Sequence, residues 1–293
     1  MLKHSRLILG SANWGLGYGV GKNSAQLSMR TVKDITSQAA SYGVGLIDTA
    51  PLYINSHEVI RDAELASFEV ITKTMKFPAV TITYEHAKKL RSAFEKALEK
   101  LDRPKVHALL FHQASDLLKP GSGYLVDVVN ELKSEGYIDK FGVSIYYSDE
   151  FKKVFQVLKP DIVQLPVSLF DQRFYKDGTI TALSHQNVEI HARSIFLQGI
   201  PFLLPENLPK YFKPWQEFFQ NFADDCKAQN LSPAAVCTSF VGSLKEIDRY
   251  VVGFDRKIEV DQFFRNLKLP FNEIFSQYEC VDDNLINPIK WSI

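Results

Sequence analysis

Four side chains in the first 112 residues have the types and spacing to move a proton at a carbonyl oxygen: Asp48, Tyr53, Lys73 and His112. Asp48 closes the apolar run "VGLID" and Tyr53 follows it in "TAPLY"; Lys73 closes "FEVITK", and His112 follows "VHALLF". A phenol with its ordinary pKa of about 10 is a poor acid and base at neutral pH. Lys73 beside Tyr53 is expected to favour the phenolate, Asp48 to keep the ammonium charged and fixed, and His112 to donate or relay a hydrogen bond to the same oxygen. Such a set stabilises charge on oxygen while hydride reaches carbon. It supplies no hydride, so an organic redox cofactor is implied. Taken singly, Lys73 reads as a surface cation, His112 as an internal hydrogen-bonding residue and Tyr53 as an amphipathic rim residue. Their joint placement at successive strand ends argues for chemistry, because a charged group there must be desolvated.

The elements that position them recur along the chain. Eight short apolar or β-branched runs read as strands: "RLILG", "VGLID", "FEVITK", "VHALLF", "KFGVSI", "DIVQLP", "VEIHA" and "CTSFVG". Between them, "TVKDITSQAASYG", "TYEHAKKLRSAFEKALEKLDRP", "YLVDVVNELKSEGYI", "SDEFKKVFQVLKP" and "YFKPWQEFFQNFADDCKAQN" repeat apolar residues at three and four, as helices do. Ser148 is the expected cap of the fourth, with Asp149 and Glu150 in its first turn, and Pro160 its stop. Strands apolar on both faces, alternating with helices, predict a parallel sheet covered by helices. Count and length favour a closed (β/α)8 TIM barrel; a doubly wound sheet is the alternative, since periodicity does not show whether the first and last strands pair. Residues 1–293 read as a single domain, with 256–293 as a C-terminal extension packing on the barrel.

The bulk properties bound the partners. The 293 residues are 45% apolar with a formal net charge of +0, and the pI is near 7.1, so no general attraction for nucleic acid or an anionic membrane is expected. Cys226, Cys237 and Cys280 are an odd number without metal spacing, which favours reduced thiols and a cytoplasmic location. Neither a signal peptide nor a membrane span is expected. The glycine-rich opening, "LILGSANWGLGYGVGKN", invites comparison with phosphate loops, but both registers fail. Val20 or Lys22 stands at the last position of G-x-G-x-x-G, and Leu16 and Asn23 break the G-x-x-x-x-G-K-[ST] pattern. It reads as a permissive loop, either plain surface or part of an active-site rim, with Asn13 and Trp14 as polar and aromatic contacts.

In "LIDTAPLYINSHEVI", "ITKT", "LLFHQ", "KFGVSIY", "VQLPVSLFD" and "ARSIFLQG", in that order, the sequence resembles the aldo/keto reductase superfamily, bacterial-type members included, from about Arg6 to Trp291. The resemblance implies a (β/α)8 barrel and reversible reduction of aldehydes or ketones with a nicotinamide cofactor, usually NADPH. Asp48, Tyr53, Lys73 and His112 match the family's catalytic tetrad. Ser144 and Gln164 match residues that hold the nicotinamide carboxamide, and Ile145 stands where an asparagine is usual. Arg193 stands where relatives stack an aromatic ring on the nicotinamide; its guanidinium would stack there or reach an acidic substrate. Ser194, Leu197 and Gly199 match the pyrophosphate loop. In "TSFVGSLKEIDRYVVG", taken as the eighth strand and the adenosine-end helix, Gly242, Ser243 and Lys245 are the implied contacts. Glu246 or Asp248 then falls where NADP-selective relatives carry arginine, and Lys245 or Arg249 would compensate, so NADPH and NADH both stay open.

For the substrate, Trp14, Tyr18, Tyr146 and Gln198 are the expected contacts, with Phe170 nearby. Their mixed character suits a sugar or another polar carbonyl compound at least as well as an aliphatic aldehyde. The competing class is a nicotinamide-nucleotide-binding sensor or scaffold on the same barrel, suggested by Ile145 and Arg193. A metal-dependent hydrolase is disfavoured, since no His/Asp set converges in sequence: His112 and His191 lie three strands apart and Asp48 is assigned to Lys73. A monomer or weak homo-oligomer with a small-molecule carbonyl substrate and no metal is expected.

Overall fold

The computed structural model describes residues 5–20 and 26–292. Eight parallel strands close into a barrel in chain order: β1 (Leu7–Gly10), β2 (Leu46–Asp48), β3 (Glu69–Lys73), β4 (Val106–Phe111), β5 (Ile138–Ser144), β6 (Ile162–Pro166), β7 (Glu189–Arg193) and β8 (Arg249–Val252). The first and last strands pair, Ile8 opposite Val251, which settles the barrel against the open sheet.

The strands are apolar on both sides because each faces two cores. Ile8, Leu46, Ile71, Ala108, Leu110 and Ile162 fill the inside, with Val251 against them. Their neighbours Leu7, Leu9, Ile47, Val70, Leu109 and Val163 point outward under the helices. Side chains alternate along a strand, so the next inward position towards the C-terminal end is fixed by this pattern. It is Gly10 after Ile8, Asp48 after Leu46, Lys73 after Ile71, His112 after Leu110, Gln164 after Ile162 and Gly253 after Val251. The period of two that builds the core thus delivers the polar residues to one mouth.

Seven of the eight expected strands are strands, and the eighth is a helix. Cys237–Gly242 lies within the helix Pro233–Ser243, where the Ser232 side chain accepts the Ala235 N–H at 3.1 Å and Pro233 fills the first turn. Every residue from Ala235 to Val241 is buried, so the helix has no polar stripe to betray its period, and its Val and Thr content mimics a strand. The eighth strand is the short run "RYVV", whose Arg249 pairs with Glu189 of β7 at 2.6 Å.

The helix Ser148–Val157 also starts differently: Tyr147 is the capping position, and the Glu150 carboxylate accepts the N–H groups of Tyr146 and Tyr147 at 2.7 and 3.0 Å. After β8, the helix Lys257–Asn266 packs against the helices Met29–Ser41 and Pro233–Ser243. Tyr42 stacks on Phe264 with ring centroids 4.2 Å apart. Farther on, Phe275 and Tyr278 pack edge-on to Phe222, and Trp291 meets Phe212. No helix among the described residues is long and apolar enough to cross a membrane.

Candidate active site

A cavity of about 550 Å³ opens at the C-terminal ends of the strands. The inward-facing residue of every strand end lines it: Gly10, Asp48, Lys73, His112, Ser144, Gln164, Arg193 and Gly253. At its base, Lys73 Nζ lies 2.5 Å from Asp48 Oδ1, and both side chains are 3% exposed. Lys73 also donates to the Thr49 carbonyl at 3.2 Å, and Gln164 Nε2 donates to Asp48 Oδ2 at 2.9 Å, so both carboxylate oxygens are engaged. Tyr53 stands in the turn Pro51–Tyr53, with Lys73 Nζ 5.4 Å from its ring centroid.

The glycine-rich opening acts here through packing. A Cβ on Gly15 would collide with the Tyr53 carbonyl oxygen and the Ser56 backbone nitrogen, so only glycine lets the β1 loop lie against the tyrosine turn. The following residue, Ile54, has φ 53°, a left-handed conformation that a β-branched side chain resists. The Val20 N–H donates to the Gln198 carbonyl at 3.0 Å, tying this loop to the one after β7. Residues 21–23 of the glycine-rich stretch lie outside the described residues.

Electrostatics depart from the expected scheme at one point. Burial first, and the Asp48 carboxylate second, push the Tyr53 phenol above its ordinary pKa, and the cation that opposes them is Arg193. Lys73 lies beneath the Tyr53 ring with its ammonium paired to Asp48. His112 is pushed down to about 3, by burial first and then by Lys73, Lys76 and Arg193. It is therefore a neutral imidazole at ordinary pH, and its Nδ1 is buried without a hydrogen-bond partner.

The residues expected to hold a nucleotide divide into two groups. Ser144, Gln164, Arg193, Ser194 and Gly199 line the cavity, and Leu197 is buried behind it. Ser194, Leu197, Gln198 and Gly199 have φ of 60°, 44°, 52° and 90°, a tight turn at the end of β7. Ile145 faces outward into the core, and its backbone joins the site, donating to the Gln164 carbonyl at 3.0 Å and accepting from Arg193 at 3.1 Å. Gly242, Ser243 and Lys245 are not brought to the cavity. They end the Pro233–Ser243 helix and precede β8, at the opposite end of the barrel, where the Asp248 carboxylate accepts the Ile190 N–H.

The strand reassignment explains this displacement and identifies the residues that take their place. Asn13, Thr238, Gly253, Asp255, Arg256 and Glu259 line the β8 side of the cavity. The Asn13 amide donates to the Phe254 carbonyl and the Asp255 carboxylate at 2.9 and 3.1 Å. Glu259 accepts the N–H groups of Asp255 and Arg256 and pairs with the Arg256 side chain. Asn13 Oδ1 and Thr238 Oγ1 are buried there without a partner. A sequence signal did exist: "YVVG" ends on an inward glycine as "LILG" does, and a Cβ on Gly10 would approach the Gly253 nitrogen to 3.3 Å.

Of the expected substrate contacts, Tyr18, Tyr146 and Gln198 line the cavity. Trp14 does not: it is 1% exposed and packs in the core, since the turn Ala12–Gly15 directs it inward. Phe170 is likewise buried, among Phe218, Phe219 and Phe222. Among the described residues, one group of side chains that could hold a metal ion also comes together, at a spacing the sequence does not reveal. Glu69, His107 and Asp139 bring ligand atoms within 4.8 Å of one another. They stand at the N-terminal ends of β3, β4 and β5, away from the cavity, and Asp139 is paired with Lys105 at 3.0 Å.

Comparison with known proteins places this geometry in context. The model of the aldo/keto reductase family matches residues 6–278. Among solved structures, a chain assigned as an aldo-keto reductase from Pseudomonas aeruginosa is similar at 17% identity and a TM-score of 0.66, covering 90% of each chain. A glycerol dehydrogenase from Gluconobacter oxydans is similar at 18% identity and a TM-score of 0.67, covering 99% of this chain and 94% of the other. A comparison with curated proteins by sequence returns no match.

Proposed function

Because the chain belongs to the aldo/keto reductase family, we propose that it reversibly reduces an aldehyde or ketone to the alcohol, with a nicotinamide nucleotide as redox partner and Tyr53 as the acid and base at the carbonyl oxygen. The observation that carries this reading is the convergence of Tyr53, the buried Lys73–Asp48 pair and neutral His112 on one cavity. The nucleotide would supply the hydride when bound.

The chain's own groups do the rest. Tyr53, kept protonated by burial and by Asp48, gives its proton to the carbonyl oxygen as charge builds there. Neutral His112 donates a hydrogen bond to the same oxygen without competing for the proton. Lys73, fixed by Asp48 and the Thr49 carbonyl, lends a positive field to the phenolate left behind. In the alcohol-oxidising direction the same groups run in reverse.

The donor set fits a nucleotide. Ser144 and Gln164 offer polar side chains beside the tetrad, the turn Ser194–Gly199 offers a curved backbone, and the unpartnered Asn13 Oδ1 and Thr238 Oγ1 offer acceptors for hydroxyl groups. Asp255 and Glu259 share the β8 side with Arg256, which pairs with Glu259, so both NADH and NADPH are carried into the test. The test mixes the protein with each reduced nucleotide and a panel of aldehydes, ketones and sugars, following loss of reduced-nicotinamide absorbance. Turnover that needs Tyr53 supports the reading; tight nucleotide binding with no turnover across the panel favours a sensor instead.

A further inference from the structure

Arg193 is a cation of this cavity that no carboxylate of the described residues pairs with. It ends β7 facing inward, and its Cζ lies 4.1 Å from the Tyr146 ring centroid, which holds the guanidinium plane. Its hydrogen bonds go to neutral oxygens, the Ile145 carbonyl at 3.1 Å and Ser194 Oγ at 3.4 Å. The acids lining the cavity are otherwise occupied: Asp48 by Lys73 and Gln164, Glu259 by Arg256, and Asp255 by the Asn13 amide. Among the described residues no carboxylate forms an ion pair with Arg193. Summing Asp48, Lys73 and Arg193, the tetrad end of the cavity carries one net positive charge. The charge of Arg193 is felt at Tyr53, Tyr18 and His112.

A partly buried guanidinium without a counter-ion is unfavourable, and a planar carboxylate is the partner its fork fits best. We propose that Arg193 anchors a carboxylate on the substrate, so that this enzyme acts on oxo acids, carbonyl compounds bearing a carboxylate, in preference to neutral carbonyl compounds. The inference rests on the reductase reading above and deepens it.

The test uses pairs that differ in charge and little in shape. Calorimetry on the whole protein compares 4-(hydroxymethyl)benzoate with 4-(hydroxymethyl)benzamide, and 4-hydroxybutanoate with 4-hydroxybutanamide; turnover compares the corresponding aldehydes. The acid of a pair should bind and turn over roughly tenfold to a hundredfold better, the difference expected of a charge-assisted hydrogen-bonded pair. Arg193→Gln should bring the ratio close to one, and Arg193→Lys should keep part of it. Equal binding of acid and amide, no binding of either pair, or an unchanged ratio in Arg193→Gln would overturn the proposal. So would loss of nucleotide affinity in that variant with the ratio intact, which would assign Arg193 to the nucleotide. Preferential binding of the acids with no turnover of any aldehyde would uphold the anion site while removing the reductase reading.

Discussion

Replacing Lys73 by Met removes one half of a buried ion pair, and the structure sets the size of the loss. The two side chains are 3% exposed, with Nζ and Oδ1 2.5 Å apart. At an effective dielectric of about 20, charges this close attract by roughly 7 kcal/mol, most of which offsets the desolvation of both groups. Lys73→Met leaves the Asp48 carboxylate buried with Gln164 as its remaining hydrogen-bond donor. Stranding a buried charge costs about 3–5 kcal/mol, and the Gln164 bond places this case near the lower end. Asp48→Asn strands the ammonium instead, at a similar cost. The double variant Lys73→Met/Asp48→Asn strands no charge and should lose only about 1 kcal/mol relative to wild type, far less than the two single losses added together. Urea unfolding of all four proteins at neutral pH reads this directly. Single losses below about 1 kcal/mol, or additive single losses, would refute the picture of a tightly coupled buried pair.

Three further outcomes follow from the same geometry. His57 and His112 are pushed down to about 4 and about 3, by burial first, so both folded values lie below the unfolded value of about 6.5. The unfolded chain then binds more protons, and the associated stability is complete above about pH 6.5 and falls as pH drops towards the folded values, by roughly 2 kcal/mol per histidine at about pH 5. His57→Gln should flatten that acid slope in urea titrations, and the pH profile of turnover should show no imidazole inflection between about pH 5 and 8; an unchanged slope in the variant would count against buried neutral histidines. Gly15→Ala should lower turnover at least tenfold by displacing the Tyr53 turn, and normal kinetics in that variant would show that the collision is absorbed elsewhere. Ile54→Gly should raise unfolding stability by about 1 kcal/mol by relieving a strained β-branched residue at φ 53°, and a loss would mean that the strain is absent or compensated.

What could be read from the sequence was what periodicity encodes. Apolar runs alternating with helical periodicity gave the barrel, and the ionisable groups closing three successive runs gave Asp48, Lys73 and His112, whereas Gln164 came only from the family resemblance; which strand residues face inward needed the structure. The eighth strand escaped because the Pro233–Ser243 helix is buried all round and carries no stripe, whereas the real strand is four residues long with a charged Arg249 pairing inside the barrel. That single shift carried Gly242, Ser243 and Lys245 to the far end and hid Asp255 and Glu259. Trp14 was misread for a different reason: the direction of a side chain in a four-residue turn depends on tertiary packing, and here the core takes the indole. The raised pKa of Tyr53 also lay beyond sequence, since it depends first on how deeply the phenol is buried and then on the nearby charges of Asp48 and Arg193.

The central claim is that Tyr53 protonates a carbonyl oxygen while hydride arrives from a bound nicotinamide. Its most direct test follows transfer of deuterium from nicotinamide nucleotide labelled at the reactive carbon into the alcohol product, for wild type and Tyr53→Phe, with nucleotide affinity measured in parallel. Wild type should place deuterium stereospecifically on the carbinol carbon, and Tyr53→Phe should lose at least about a hundredfold in rate while binding the nucleotide nearly as before. Undiminished transfer in Tyr53→Phe, or an alcohol product without label, would contradict the account.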